Sequence, residues 1–235
     1  MTKMWNGLRS TIFNIVMFGS AMLISLAGLP FRYLAPSKVI FFGQFWARLN
    51  VAALRLICGV PLQVEGLEHL PQGPMILAAQ HQSAYDILVW LSLLDRPVYV
   101  LKRELLRLPL FGWLLVPAGM IPIDRSGGGG TLRKMVEACR NIIGHGRPIV
   151  IFPEGTRVAY GVEVKVQPGI VALARALNVP VVPAATNSGA RWGRKAFWKT
   201  PGPVRVKIYP PISPNLPREE MLRHLSACYY ETGTG

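Results

Sequence analysis

The sequence predicts an α/β fold: a mixed, mostly parallel central sheet flanked by helices, preceded by a two-helix N-terminal segment. Three observations carry this. From residue 61 onward, short apolar runs bounded by Gly and Pro alternate with stretches of helical spacing, the pattern of a sheet covered by helices on both faces. Before that boundary, Thr11 to Phe31 is almost wholly apolar, with Asn14 its main interruption. Third, Val39 to Val60 mixes Phe41, Phe42, Phe45, Trp46, Leu49 and Leu56 with Arg48 and Arg55, as an amphipathic helix does.

About 20 apolar residues can cross a bilayer, and an amphipathic helix suits the interfacial plane. Residues 1–60 are therefore expected to form a membrane-associated helical hairpin, lying in the plane or spanning it, and 61–235 an α/β domain. Basic residues flank both ends of the first run, so charge assigns no orientation. Lys3, Arg9 and the triplet Ser25-Leu26-Ala27 also fit a cleavable signal peptide.

In chain order, Leu62–Glu65 alternates as a short strand, and Met75–Ala79 is a buried strand after the Gly73-Pro74 breaker. A helix follows Asp86. Val98–Leu101 and Met120–Ile123 are further strands, and Thr131–Ile143 has helical spacing. Pro148–Phe152 is a strong buried strand, Gly169–Leu177 a helix, and Val179–Ala184 a strand. Val204–Tyr209 alternates as a half-exposed strand, and a short helix follows Pro217. The four glycines at 127–130 make a flexible loop and do not match the phosphate-binding Gly-x4-Gly-Lys pattern.

With 26 basic against 12 acidic residues, the net charge is +14, while 51% of residues are hydrophobic. Such charge suits nucleic acid or anionic membrane, and the apolar content selects the membrane; nucleic acid is not an expected partner. Cys58, Cys139 and Cys228 are odd in number and far apart, without the spacing of a disulfide framework or zinc site.

Polar clusters follow three apolar strands: His81–Asp86, Asp124-Arg125, and Glu154-Gly155-Thr156-Arg157. In an α/β sheet, ligands gather at the carboxyl ends of strands, so the clusters can share one rim. His81 and Asp86 can meet if His81 lies in the turn before a helix and Asp86 in its first turn; on one helix they would point about 140° apart. The rim then holds a base, a carboxylate to orient it, and guanidinium forks suited to phosphate. That set points to proton abstraction from a hydroxyl on a phosphate-bearing substrate. Ser83 lacks a nucleophile elbow. Asp124 fits a cap or an ion pair with Arg125 as well as it fits substrate. His69, His145 and His224 are read as surface or loop residues; Trp90, Trp113 and Phe111 as core. Trp192, Phe197 and Trp198, interleaved with Arg191, Arg194, Lys195 and Lys199, fit a membrane-interface patch or ordinary packing.

The motifs also carry a resemblance. His81-Gln82-Ser83-Ala84-Tyr85-Asp86, Gly119-Met120-Ile121-Pro122-Ile123-Asp124-Arg125, Phe152-Pro153-Glu154-Gly155-Thr156-Arg157 and Val179-Pro180-Val181-Val182-Pro183 occur in order. They are similar to the ordered motifs of the lysophosphatidic acid acyltransferases, within the glycerolipid acyltransferase family. The N-terminal helix pair resembles that family too.

The resemblance implies His81 as general base for the free sn-2 hydroxyl of lysophosphatidic acid, with Asp86 orienting its imidazole. The hydroxyl attacks an acyl thioester directly, giving phosphatidic acid. It implies phosphate contacts from Arg125 and Arg157, with Lys102 near the same anion. Glu154, Gly155 and Thr156 complete the phosphate and glycerol site, and the fourth motif belongs to the acyl side. The donor is acyl-CoA or acyl-carrier protein, with no cofactor and no metal. The place is a bacterial-type inner membrane, with the site on its cytoplasmic side. One position departs from the family: Gln167 stands where a lysine is expected, with Lys165 out of register. Another lysolipid, such as lyso-ornithine lipid, or glycerol 3-phosphate remains open as acceptor. A non-catalytic basic membrane-binding protein is the alternative of a different class, and it needs neither His81 nor Asp86.

Overall fold

The computed structural model describes the backbone of residues 2–124 and 128–230. Its strands are β1 (Leu62–Glu65), β2 (Ile76–Ala79), β3 (Val98–Lys102), β4 (Ile121–Ile123), β5 (Ile149–Ile151), β6 (Val181–Thr186) and β7 (Val204–Ile208). Its α-helices are α1 (Thr2–Gly28), α2 (Phe31–Leu34), α3 (Val39–Cys58), α4 (Tyr85–Leu93), α5 (Phe111–Leu115), α6 (Gly128–Gly144), α7 (Gly169–Leu177), α8 (Ser188–Arg191) and α9 (Arg218–Tyr230). The strands form one sheet in the order β1-β7-β6-β2-β5-β3-β4. The β6–β7 pairing is antiparallel and the other pairings are parallel, so the sheet is mixed and mostly parallel, as the alternation of strands and helices predicts.

Side chains of a strand leave alternate faces, and β2 shows what each face meets. Leu77 and Ala79 join one core with residues of α3 and α4, while Ile76 and Ala78 join a second core with residues of α7 and α9. β2 is buried along its whole length, which is why its sequence is a continuous apolar run rather than an alternating one. At β7, near the edge, burial alternates and Arg205 faces outward.

The N-terminal helices are tied into this body. α1 is longer than the apolar run, beginning at Thr2 and ending at Gly28, just before Leu29-Pro30, since proline cannot continue a helix and restricts the residue before it. Ile40, Ala47 and Leu54 of α3 belong to the same core as α4. Gln44 Nε2 donates to the carbonyls of Leu91 (3.3 Å) and Leu94 (2.8 Å), groups at the end of α4 that no helical turn can satisfy.

Asn14, the interruption in the apolar run, has a partner. Lys199 Nζ donates to Asn14 Oδ1 (2.5 Å) and to the Phe197 carbonyl (2.9 Å). It also lies 4.6, 5.2 and 5.6 Å from the ring centroids of Trp192, Phe13 and Phe197, within reach of cation–π attraction. The aromatic and basic stretch thus divides: Trp192 is buried against α1, while Phe197 and Trp198 are about half exposed.

The outer faces of both helices stay apolar. Met4, Leu8, Ile15, Phe18 and Met22 of α1, and Phe41 and Phe45 of α3, are exposed. α1 is long and apolar enough to cross a membrane by length and composition. α5, which has no counterpart among the elements predicted from the sequence, places two aromatic residues away from the core expected for them. Trp113 is exposed, and Phe111 lines a cavity.

Candidate active site

His81 lies in the connection from β2 to α4, and Asp86 in the first turn of α4. His81 Nδ1 is 2.9 Å from Asp86 Oδ2. The same oxygen accepts the backbone N–H groups of Gln82 and Ser83, each at 2.8 Å. Gln82 and Ser83 lie in the turn before α4, outside the helix's own hydrogen-bond ladder, so their N–H groups are satisfied by this carboxylate. Asp86 is 2% exposed, so its orientation is set by these donors and not by water. The tautomer consistent with this contact carries the proton on Nδ1 and leaves Nε2 available to act as a base.

The loop after β5 closes over His81 from the other side. Phe152 stacks on the imidazole, with ring centroids 3.9 Å apart and planes 15° apart. The Val158 N–H donates to the His81 carbonyl at 2.7 Å, and the His81 N–H donates to Glu154 Oε2 at 2.6 Å. Phe152–Gly155 is a tight turn closed by the Gly155 N–H on the Phe152 carbonyl (3.0 Å). Pro153 occupies its second position, and Gly155 takes a left-handed φ of +75°, a conformation that other residues adopt at a cost.

The turn separates residues that the sequence reading grouped together. Glu154, expected at the glycerol site, is 5% exposed and lies under the His81 loop. Its other oxygen accepts the Tyr230 hydroxyl at 2.8 Å. Burial pushes its carboxyl up to about 7; the bonds from His81 and Tyr230 act in the opposite direction. Gly155, Thr156 and Arg157 instead line a cavity of about 420 Å³ together with His81 and Lys102. Arg125 lies outside the described residues. Asp124 is exposed at the end of β4 and is not on this cavity's wall.

The lining also includes the apolar residues Ile24, Val39, Phe42, Trp46, Leu105 and Phe111. α1, α3 and α5 therefore supply much of this apolar lining. Arg194 and Lys195, from the stretch after α8, line the cavity too; composition had marked them only as part of a basic patch. Gln167 is not on the wall of this cavity, but its side chain lies behind it: Cγ is 3.8 Å from where a Cβ on Gly155 would sit. Its backbone N–H donates to the Pro153 carbonyl (2.8 Å), and the residue lines a separate groove with Lys165 and Arg218.

A mostly parallel α/β sheet with a His–Asp pair at its rim, on a cavity lined by both cationic and apolar side chains, defines an α/β protein with a candidate acid–base site. The family model described as Acyltransferase matches residues 61–187. The 1-acyl-sn-glycerol-3-phosphate acyltransferase of Pseudomonas aeruginosa is 32% identical over 209 residues, covering 86% of this chain and 80% of that protein. The chain belongs to the acyltransferase family. The protein of the same name from Cocos nucifera is 29% identical over 204 residues, and this chain spans 65% of its length. Similarity in fold extends to the crystal structure of the 1-acyl-sn-glycerophosphate (LPA) acyltransferase, PlsC, from Thermotoga maritima. It has a TM-score of 0.69 and 23% identity, covering 96% of this chain and 93% of that one.

Proposed function

We propose that this protein is a membrane-associated acyltransferase that moves an acyl group from a thioester donor to the sn-2 hydroxyl of 1-acyl-sn-glycerol 3-phosphate, giving phosphatidic acid. The observation that carries the reading is the His81 Nδ1–Asp86 Oδ2 contact of 2.9 Å, on a ring that lines a cavity together with Lys102 and Arg157.

In this reading the acceptor's phosphate lies by Arg157 and Lys102, and the family resemblance adds Arg125 as a further phosphate contact. Its acyl chain lies along the apolar wall. Nε2 of His81 takes the hydroxyl proton as the oxygen attacks the thioester carbonyl. The tetrahedral intermediate collapses, the C–S bond breaks, and the imidazolium returns its proton to the leaving thiolate. Asp86 holds Nδ1–H and stabilises the imidazolium, as the acid does in a Ser-His-Asp triad, with the acceptor hydroxyl in place of serine. General base action accounts for roughly 10²–10⁴-fold; positioning of acceptor and donor supplies more.

The exposed apolar faces of α1 and α3 support association with a lipid surface, where a lysolipid resides. The excess of basic residues favours an anionic leaflet. Acyl-CoA and acyl-carrier protein are both cytoplasmic, which supports the cytoplasmic face of a bacterial-type inner membrane as the working location.

A panel assay tests the proposal. Purified protein in mixed micelles is offered lysophosphatidic acid, glycerol 3-phosphate and lyso-ornithine lipid, each with acyl-CoA and with acyl-carrier protein. The expected result is phosphatidic acid from lysophosphatidic acid, with kcat/KM at least about tenfold above the other acceptors. Faster transfer to another acceptor would replace the acceptor assignment, and no transfer to any would overturn the proposal.

A further inference from the structure

We propose that Tyr230, on the last turn of α9, is a positioning residue for the His81 base: it holds the Glu154 carboxylate in the place from which that carboxylate grips the His81 backbone. This rests on the reading of His81 as the base.

The connection is continuous. The Tyr230 hydroxyl donates to Glu154 Oε1 at 2.8 Å, and Glu154 Oε2 accepts the His81 N–H at 2.6 Å. The Tyr230 oxygen also accepts the Val164 N–H at 3.2 Å, so the same hydroxyl pins the segment that follows Arg157. Its neighbour Tyr229 donates to the carbonyl of Ala78 at 2.8 Å, three positions before His81. Two consecutive tyrosines therefore fasten α9 to both arms of the site: the strand that delivers His81 and the turn that closes over it.

Glu154 is 5% exposed and is not on the cavity wall. Its effect on acyl transfer must pass through His81. An ionised carboxylate can accept from both donors at once, whereas a protonated one must place its own hydrogen.

Burial raises Glu154 to about 7, and the Tyr230 hydrogen bond is one of the contacts that oppose the rise. The ionisable groups facing Glu154 are His81 from the β2–α4 connection, Asp86 from the first turn of α4, and Tyr229 and Tyr230 from α9. Glu163 faces Tyr230 from the loop side. Asp86 disfavours the Glu154 charge, and Tyr230 offsets it. Without that hydroxyl, Glu154 should hold its proton to a higher pH.

Tyr230→Phe in the full chain tests this. kcat is measured between about pH 5.5 and 9.5 at saturating lysophosphatidic acid and acyl-CoA. The expected result is an acid limb displaced upward by about one unit, so that kcat falls roughly tenfold on that limb and recovers at alkaline pH. Both KM values should change by less than about twofold. In the Glu154→Gln background, Tyr230→Phe should displace nothing further. An unmoved acid limb, or an equal loss of kcat at every pH that persists in the Glu154→Gln background, would overturn the proposal.

Should Tyr230→Phe not fold, Glu154→Gln alone carries the test: kcat at about pH 8 should fall roughly tenfold while both KM values stay within about twofold, and an unaltered kcat overturns the proposal. His81→Ala reports separately on the base. Thermal coupling between Tyr230 and Glu154 in a double-mutant cycle needs no catalysis, so failure of the base reading and failure of the positioning proposal are distinguishable.

Discussion

The ring of Phe152 lies flat against the imidazole of His81, 3.9 Å between centroids. The contact follows from the sheet: β2 and β5 are parallel neighbours with Ala78 opposite Ile151, and the two rings leave the chain just past those ends. It fixes one face of the imidazole while Asp86 fixes its edge. Phe152→Ala frees that face. Aromatic pairs contribute about 0.5–1.5 kcal/mol beyond area burial, so kcat should fall roughly two- to tenfold with KM little changed. Steady-state kinetics of the folded variant checks this; an unaltered kcat would show that Asp86 alone orients the ring.

Arg157 tests the acceptor site. It is half-buried on the cavity wall with His81. Loss of a charged hydrogen-bonding partner costs about 1.5–3 kcal/mol. Arg157→Ala is expected to raise the KM for the phosphate-bearing acceptor by roughly 10–100-fold, and that for the acyl donor far less. Equal rises for both substrates would count against phosphate binding here.

Glu154 has a consequence for stability as well as rate. Its folded value of about 7 lies above the ordinary 4.5. Between these values the folded protein keeps a proton that the unfolded chain releases, so stability falls as pH rises through that window. Glu154→Gln has no proton to lose. Unfolding midpoints at about pH 5 and pH 8 should diverge in the parent and much less in the variant. The same pH dependence in both proteins would exclude Glu154 as its source.

The strands and helices after residue 60 were legible because their signals are local. The helix Gly169–Leu177 has both its predicted ends, and β2 differs from its predicted run by Met75 alone. The His81–Asp86 contact was legible as a condition, a turn followed by a first helical turn, and that is the geometry found. Glu154 was not, because sequence order put it beside Arg157, whereas the turn at Gly155 points them to different sides. Tyr230 left no local trace, since its partner lies 76 positions away. Nor could spacing show that the apolar residues of α3 serve two surfaces, with Ile40 and Leu54 in the core and Phe41 and Phe45 exposed. Hydrophobicity alone does not say which apolar face meets protein.

The proposed chemistry depends above all on His81 as the base. Acyl transfer from acyl-CoA to lysophosphatidic acid by purified His81→Ala protein, with membrane association of the same preparation followed by flotation with anionic vesicles, tests it most directly. The prediction is loss of transfer by at least about 10²-fold with flotation unchanged. Transfer at the parental rate by a folded, membrane-bound His81→Ala protein would contradict it.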